Sequence, residues 1–252
     1  MTGRVTIVGL GPGALEWMTS EASAAIEAAS DVVGYGLYVE RLALRKDQRV
    51  HASDNRVEME RARLALKLAA EGRAVAVVSG GDPGVFAMAA AVFQAVEDDP
   101  QGPKLDIAVA PGVTAMQAAA ARLGAPLGHD FCAISLSDNL KPWSIVERRL
   151  RAAAEGDFVI ALYNPASQAR PTRITQAFDL LRAAKAATTP VAFARAVGRA
   201  DEKLTLTTLG EADTRLVDMA TLVIIGSSET RFVARDGARP WMLTPRAYGV
   251  GR

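Results

Sequence analysis

AVAVVSGGDPGVFAMAAA, residues 74–91, decides how the rest of the chain is read. Five apolar residues run into Ser79, then Gly80-Gly81-Asp82-Pro83-Gly84 break the chain, and Val85-Phe86 open an alanine-rich apolar segment. That pattern predicts a buried strand, a tight turn and a helix packed back on the sheet. A turn poor in side chains at the carboxyl end of a parallel strand is where open α/β sheets bind ligands. Its glycines let a ligand approach the backbone, and Asp82 is the one charged group there. Taken alone, the turn fits either an ordinary strand-to-helix connection or a ligand cradle.

Two more stretches repeat the pattern. RVTIVG (4–9) ends in Gly9-Leu10-Gly11-Pro12-Gly13, after which Thr19 or Ser20 caps the helix EASAAIEAA, with Glu21 in its first turn. LDIAVA (105–110) ends in Pro111-Gly112-Val113-Thr114-Ala115. If the three strands are parallel neighbours, their turns gather on one edge of the sheet, and three such turns together predict a site. The first turn has the outline of a dinucleotide fingerprint, but Pro12 removes a backbone donor where a pyrophosphate needs one. Asp31 also precedes the second strand instead of ending it, which argues against a nicotinamide dinucleotide.

Between these motifs, residues 31–38 read as a short strand entering a loop with Tyr35 and Tyr38, and Arg41 and Arg45 follow on a surface helix. Residues 56–71 predict an amphipathic helix with Met59, Ala62, Leu66 and Ala69 or Ala70 inside, stopped by Gly72. Residues 97–103 read as a solvated acidic loop. The pattern changes near residue 112. Strands are expected at 131–136, 157–162 and 221–226 (the last), helices at 144–154 and about 172–184, and an antiparallel pair at 190–196 and 203–208. The expectation is an α/β protein of two domains, 1–111 with a mainly parallel sheet and 112–252 with a mixed one. A ligand cleft between them is expected too.

Composition narrows the class. The 252 residues are 50% hydrophobic, enough for a buried core, and 29 basic against 28 acidic residues leave a net charge of +1. Such balance argues against a nucleic-acid partner. No apolar run reaches the length of a membrane span, and the amino terminus lacks the features of a signal peptide, so a cytoplasmic protein is expected. The single Cys132 excludes an internal disulfide framework, and with two histidines no spaced cluster suggests a metal site. Cys132 alternates with inward residues of FCAISL and reads as core.

GLGPG (9–13), SGGDPGVF (79–86) and APGVTA (110–115), in this order and spacing, resemble the tetrapyrrole methylase family over nearly the whole chain. The resemblance implies a two-domain fold and S-adenosylmethionine as cofactor, with S-adenosylhomocysteine as product. Within the family, VVGYGLYVE (32–40), GHDFCAISLSDNLKPW (128–143) and LYNPASQAR (162–170) are similar to the ring-contracting branch of cobalamin biosynthesis. That branch methylates C17 of precorrin-3B and gives precorrin-4. The relative acting on cobalt-factor III in the anaerobic pathway shares these features.

By resemblance, the cofactor residues fall on Pro12, Gly80, Gly81, Asp82, Val85, Phe86, Thr114 and Ala115, with Tyr163, Asn164, Val197 and Gly226 from the second domain. Thr114 also reads as a helix cap, and the two roles are compatible. The substrate is rimmed with carboxylates, which suit arginine forks. The candidates are Arg170 with Ser167, Arg195, and Tyr38 with Arg41. Ring contraction makes an acid or base plausible, and His129 and Asp130 lie in the branch-specific stretch. Ser137, Asp138 and Lys141 are alternatives, and His129 also reads as a plain loop residue. The family leans towards homodimers, and the tail with Trp241 and Met242 reads as a contact or as local packing. Competing functions are methylation of RNA or of a protein, and a non-catalytic tetrapyrrole carrier.

Overall fold

The computed structural model describes residues 3–54, 57–167 and 170–247. The expected helix start at Arg56, Gln168 and Ala169 of the polar loop, and the last residues of the tail lie outside the described residues. The chain divides into two compact units, Met1–Ala115 and Met116–Arg252.

The first unit runs β1 (Arg4–Gly9), α1 (Ser20–Ala28), β2 (Asp31–Tyr35), α2 (Gly36–Val39), β3 (Arg49–Ser53), α3 (Glu58–Ala70), β4 (Ala74–Ser79), α4 (Met88–Asp98) and β5 (Asp106–Ala110). The strands form one parallel sheet in the order β3-β2-β4-β1-β5. Alternation along β1 and β4 explains why both strands read as continuous apolar runs. Val5, Ile7, Val75 and Val77 pack with Ala62, Leu66 and Val92 of α3 and α4. Val8, Ala76 and Val78 pack on the other face with Ala22 and Ile26 of α1 and Val39 of α2. Thr19 caps α1, its hydroxyl accepting from the Ala22 amide at 3.1 Å.

Two local expectations change here. The loop expected around Tyr38 is the short helix α2. Glu97 and Asp98 end α4, and the connection then turns through a 3-10 segment at Gly102–Lys104. Within α3 the expected Ala62, Leu66 and Ala69 are buried and Met59 packs half-buried against the core, with Arg61, Ala65 and Leu68 buried as well.

The second unit runs α5 (Ala115–Leu123, whose first residue closes the first unit), β6 (Gly124–Ala125), β7 (Phe131–Ser135), α6 (Trp143–Glu155), β8 (Val159–Tyr163), α7 (Arg173–Arg182), β9 (Pro190–Arg195), β10 (Lys203–Thr208), β11 (Thr221–Ile225), β12 (Arg231–Val233) and β13 (Trp241–Leu243). Its main sheet has the order β10-β9-β11-β8-β7 and is mixed. Only the β7–β8 pair is parallel, the product of the crossover through α6, while β11 runs antiparallel to both β8 and β9. Ile160, Leu162, Phe193, Val223 and Ile225 pack with Val146 and Leu150 of α6 and Phe178 and Leu181 of α7. Cys132 packs against this cluster, and burial pushes its thiol up to about 11, with Lys185 opposing the shift, so it is neutral near pH 7. The strand at 221–226 is not the last: β12, β13 and β6 form a small sheet, in which Met242 is fully buried and Trp241 half-exposed.

Candidate functional site

Parallel pairing brings the three glycine turns to the carboxyl edge of the first sheet. Gly11 and Gly81 exchange backbone hydrogen bonds at 3.1 and 2.9 Å. Asp82 joins the second turn to the third: its Oδ1 accepts from the Gly84 amide at 2.8 Å and its Oδ2 from the Gly112 amide at 3.0 Å. The Thr19 hydroxyl donates to the Pro111 carbonyl at 3.0 Å, which fixes the third turn to the cap of α1.

The glycines have different reasons to be glycine. A Cβ on Gly112 would sit 2.2 Å from the Gly81 carbonyl oxygen, and one on Gly9 would sit 2.6 Å from the Gly112 nitrogen, so these two let the turns pack on each other. A Cβ on Gly80 would meet the Tyr38 ring at 2.7 Å. Gly81 differs. Its φ is +70°, and a Cβ there would find nothing closer than the Thr114 Cα at 3.9 Å. Gly81 therefore presents bare backbone to open space, which is the property of a cradle.

The same edge gathers other candidates. Tyr38 packs edge-on to Tyr35, with centroids 5.4 Å apart, and lies over Gly80. Arg41 donates to the Gly13 carbonyl at 2.8 Å, so its guanidinium braces the first turn. Thr114 is buried and Ala115 opens α5. Val85 continues the second turn, and Phe86 is half-exposed with φ of +54°, a left-handed conformation that a bulky side chain rarely adopts. Sequence reasoning missed Arg61. It is 5% exposed, with Nε donating to Ser53 Oγ at 3.0 Å and Nη2 to the Asp54 carbonyl at 2.8 Å. Burial lowers its pKa, against the charges of Glu58 and Tyr38. Its place one residue before Ala62, on the apolar stripe of α3, was the available signal.

In the second unit a comparable edge forms where β7, β8 and β9 end. Asn164 follows β8 with φ of +50°, a conformation its short polar side chain tolerates, and its Nδ2 donates to the buried Ser135 Oγ at 3.0 Å. The Tyr163 hydroxyl accepts from the Met116 amide at 3.0 Å. Val197 is buried just past the end of β9. Arg170 Nη1 donates to the Leu136 carbonyl at 3.3 Å, and its Nε lies 3.7 Å from Asp138 Oδ1. Burial alone would raise the Asp138 carboxyl, but the Arg173 hydrogen bond and the charges of Arg173 and Arg170 hold it below the usual carboxylate range. Ser167 is bridged to Arg170, whose amide donates to the Ser167 carbonyl at 2.9 Å.

Three candidates lie elsewhere, and strand direction is the reason. Because β11 is antiparallel to β8 and β9, Gly226 falls where those strands begin, with its amide on the Pro190 carbonyl at 2.9 Å. A Cβ there would meet Thr230 at 2.5 Å, so this glycine closes a tight turn. His129 and Asp130 precede β7, on that same far edge, and the Asp130 carbonyl accepts from the Val159 amide at 3.2 Å. The length of β7 puts them about 16 Å from Ser135 and Asn164, at roughly 3.3 Å per residue. Arg195 does end β9 on the near edge, but Asp218 and Asp201 hold its guanidinium at 2.8 and 2.7 Å, so its charge is already matched.

This geometry has counterparts. The family model described as Tetrapyrrole (Corrin/Porphyrin) Methylases matches residues 4–213. A Sinorhizobium precorrin-3B C(17)-methyltransferase is 57% identical over 249 residues, 98% of each chain. A probable cobalt-factor III C(17)-methyltransferase of Salmonella typhimurium is 46% identical over 247 residues, 97% of this chain and 99% of the relative. The crystal structure of the methyltransferase CobJ superposes with a TM-score of 0.93 at 50% identity, covering 96% of this chain and all of that one. The matched span holds the whole first sheet, all three glycine turns and β7 to β10 of the second unit, and the chain belongs to the tetrapyrrole (corrin/porphyrin) methylase family.

Proposed function

We propose that this chain transfers a methyl group from S-adenosylmethionine to C17 of precorrin-3B, with ring contraction to precorrin-4, in cobalamin biosynthesis. The observation that carries the reading is the 57% identity, across 98% of both chains, to a methyltransferase named for that substrate and position. The open backbone at Gly81 supports a bound cofactor, since a Cβ would intrude on exactly the space a ligand would use. Pro12, Gly80, Gly81, Val85, Phe86, Thr114 and Ala115 are its proposed contacts in the first unit, and Tyr163, Asn164 and Val197 in the second. Asp82 serves chiefly to lock the turns, its two oxygens already accepting from Gly84 and Gly112.

When bound, the cofactor supplies an electrophilic methyl on a sulfonium. The side chains orient rather than attack: alignment contributes about 7–11 kcal/mol to such a transfer. The neutral Cys132 thiol is consistent with a reaction that uses no protein nucleophile. Arg170 and Ser167, with Tyr38 and Arg41 at the edge of the first sheet, are the proposed substrate contacts. No acid–base step is assigned to His129 or Asp130, which precede β7 at the edge opposite the proposed contacts Tyr163 and Asn164, since an acid or base must lie within hydrogen-bond reach of its proton.

Cobalt-factor III is the second reading, favoured by the Salmonella relative. Methyl transfer to each substrate, compared as kcat/KM, separates them: precorrin-3B is expected to be preferred, and a preference for cobalt-factor III would reverse the assignment. The balanced charge supports a protein without a nucleic-acid partner, and among the described residues no helix is long and apolar enough to cross a membrane. A cytoplasmic homodimer completes the proposal.

A further inference from the structure

The loop between β7 and α6 and the chain leading into α7 surround Asp138 with cations. Arg173 closes a fork on this carboxylate, with Nε and Nη2 at 2.8 and 2.6 Å from Oδ2, and its Nη1 donates to Gln176 at 2.8 Å. Its guanidinium also lies 4.6 Å from the Trp143 ring centroid. The one acidic group of the cluster is thereby committed to Arg173. Arg170, 12% exposed, has a looser 3.7 Å approach to Oδ1 and donates with Nη1 to the Leu136 carbonyl at 3.3 Å. Lys141 makes no ion pair among the described residues, and burial together with Arg149 and Arg170 lowers its pKa against the pull of Asp138. Lys141 follows Asp138 by three residues on the same loop. Beside Arg170, Ser167 Oγ is buried with no hydrogen-bond partner among the described residues. On the same loop Leu140 is fully exposed.

Resting on the tetrapyrrole reading above, we infer that Lys141, Arg170 and Ser167 form a carboxylate site for the rim of the macrocycle, with Leu140 against its apolar face. Arg173 is a positioning residue that withdraws Asp138 from Arg170 and leaves the remaining guanidinium donors of Arg170 to the ligand. Two cations and an unsatisfied hydroxyl suit a carboxylate, because each oxygen can take a charge-assisted hydrogen bond. A fully exposed leucine next to Lys141 on the same loop suits a flat apolar ring more than a free anion.

The test is the affinity of the full chain for uroporphyrin III, an octacarboxylate macrocycle, read by fluorescence quenching. Lys141→Met is expected to weaken binding at least fivefold, and Leu140→Ser about twofold to fivefold. Arg173→Met should also weaken it at least fivefold, and adding Asp138→Asn to Arg173→Met should restore it, which a merely structural role for Arg173 would not do. Arg215→Gln, in an exposed pair with Asp213, should leave affinity unchanged. A tetracationic porphyrin should not bind. No binding of uroporphyrin by the unaltered chain, or equal affinity of the unaltered, Lys141→Met and Arg173→Met chains, overturns the inference. Methyl transfer to precorrin-3B by the unaltered chain is scored separately, so either reading can fail alone.

Discussion

The Asp82 carboxylate spans two glycine turns, accepting the Gly112 amide at 3.0 Å with one oxygen and the Gly84 amide at 2.8 Å with the other. Asp82→Asn keeps the shape but leaves one acceptor, so one amide must face the Nδ2 donor. The expected cost is about 1–3 kcal/mol of stability, the penalty for an unsatisfied polar group. Loosened turns should also raise KM for S-adenosylmethionine several-fold with a smaller change in kcat. Thermal unfolding and initial rates check both.

Gly81 and Gly112 should respond differently to alanine. At Gly112 the new methyl meets the Gly81 carbonyl oxygen at 2.2 Å, so the turns must part, at a cost of about 3 kcal/mol. At Gly81 there is room, and only the left-handed conformation resists, costing about 1–2 kcal/mol. Gly81→Ala should therefore fold yet bind S-adenosylmethionine at least tenfold more weakly by calorimetry, whereas Gly112→Ala should show its defect first in thermal unfolding.

Asp31 should make the first unit acid-sensitive. It begins β2 at the amino edge of the sheet, 1% exposed, with His51 Nε2 at 2.8 Å, Arg73 Nη1 at 3.0 Å and Ser30 Oγ at 2.8 Å. Burial raises its pKa, but the hydrogen bonds from His51, Ser30 and Arg73 and the charge of Arg73 outweigh that and hold it below 3.8. A carboxylate with a depressed folded pKa contributes its stability above the unfolded value and loses it as pH falls through the folded one. Denaturant unfolding should show stability falling below about pH 4, in the range where carboxylates protonate. Asp31→Asn should flatten that limb and lower stability at pH 7 by about 1–3 kcal/mol, the penalty for polar groups left unsatisfied, because Arg73 keeps its 3.2 Å pair with Glu71.

His129→Ala should leave methyl transfer and ring contraction within about twofold of the unaltered chain. The residue precedes β7, the full strand away from Asn164, so with the reaction at the proposed Asn164 edge it lies beyond the reach an acid–base group needs. A loss of ring contraction with methylation intact would return His129 to the catalytic set.

The carboxyl-edge turns of the first unit were readable because apolar runs ending in glycine mark buried parallel strands, and parallel strands put all such ends on one edge. The β9–β10 pair was readable from its short turn. Other features carried no local signal. β3, RVHAS, lies at the sheet edge with much of its surface exposed, so it shows no apolar alternation. β6, β12 and β13 are two or three residues long, too short for a period. Strand direction was the costliest gap: Gly226, His129 and Asp130 were sensible by residue type, but only the pairing of β11 and β7 reveals which edge they occupy. Arg195 looked available until Asp201 and Asp218, 6 and 23 residues away, closed on it.

Incubating the chain with precorrin-3B and S-adenosylmethionine carrying a ¹³C methyl, then locating the label, decides whether it is a C17-methyltransferase. A product heavier by one labelled methyl is expected, with the label at C17 and a ring-contracted absorbance spectrum. An unmethylated substrate, or a label at another carbon, would contradict it.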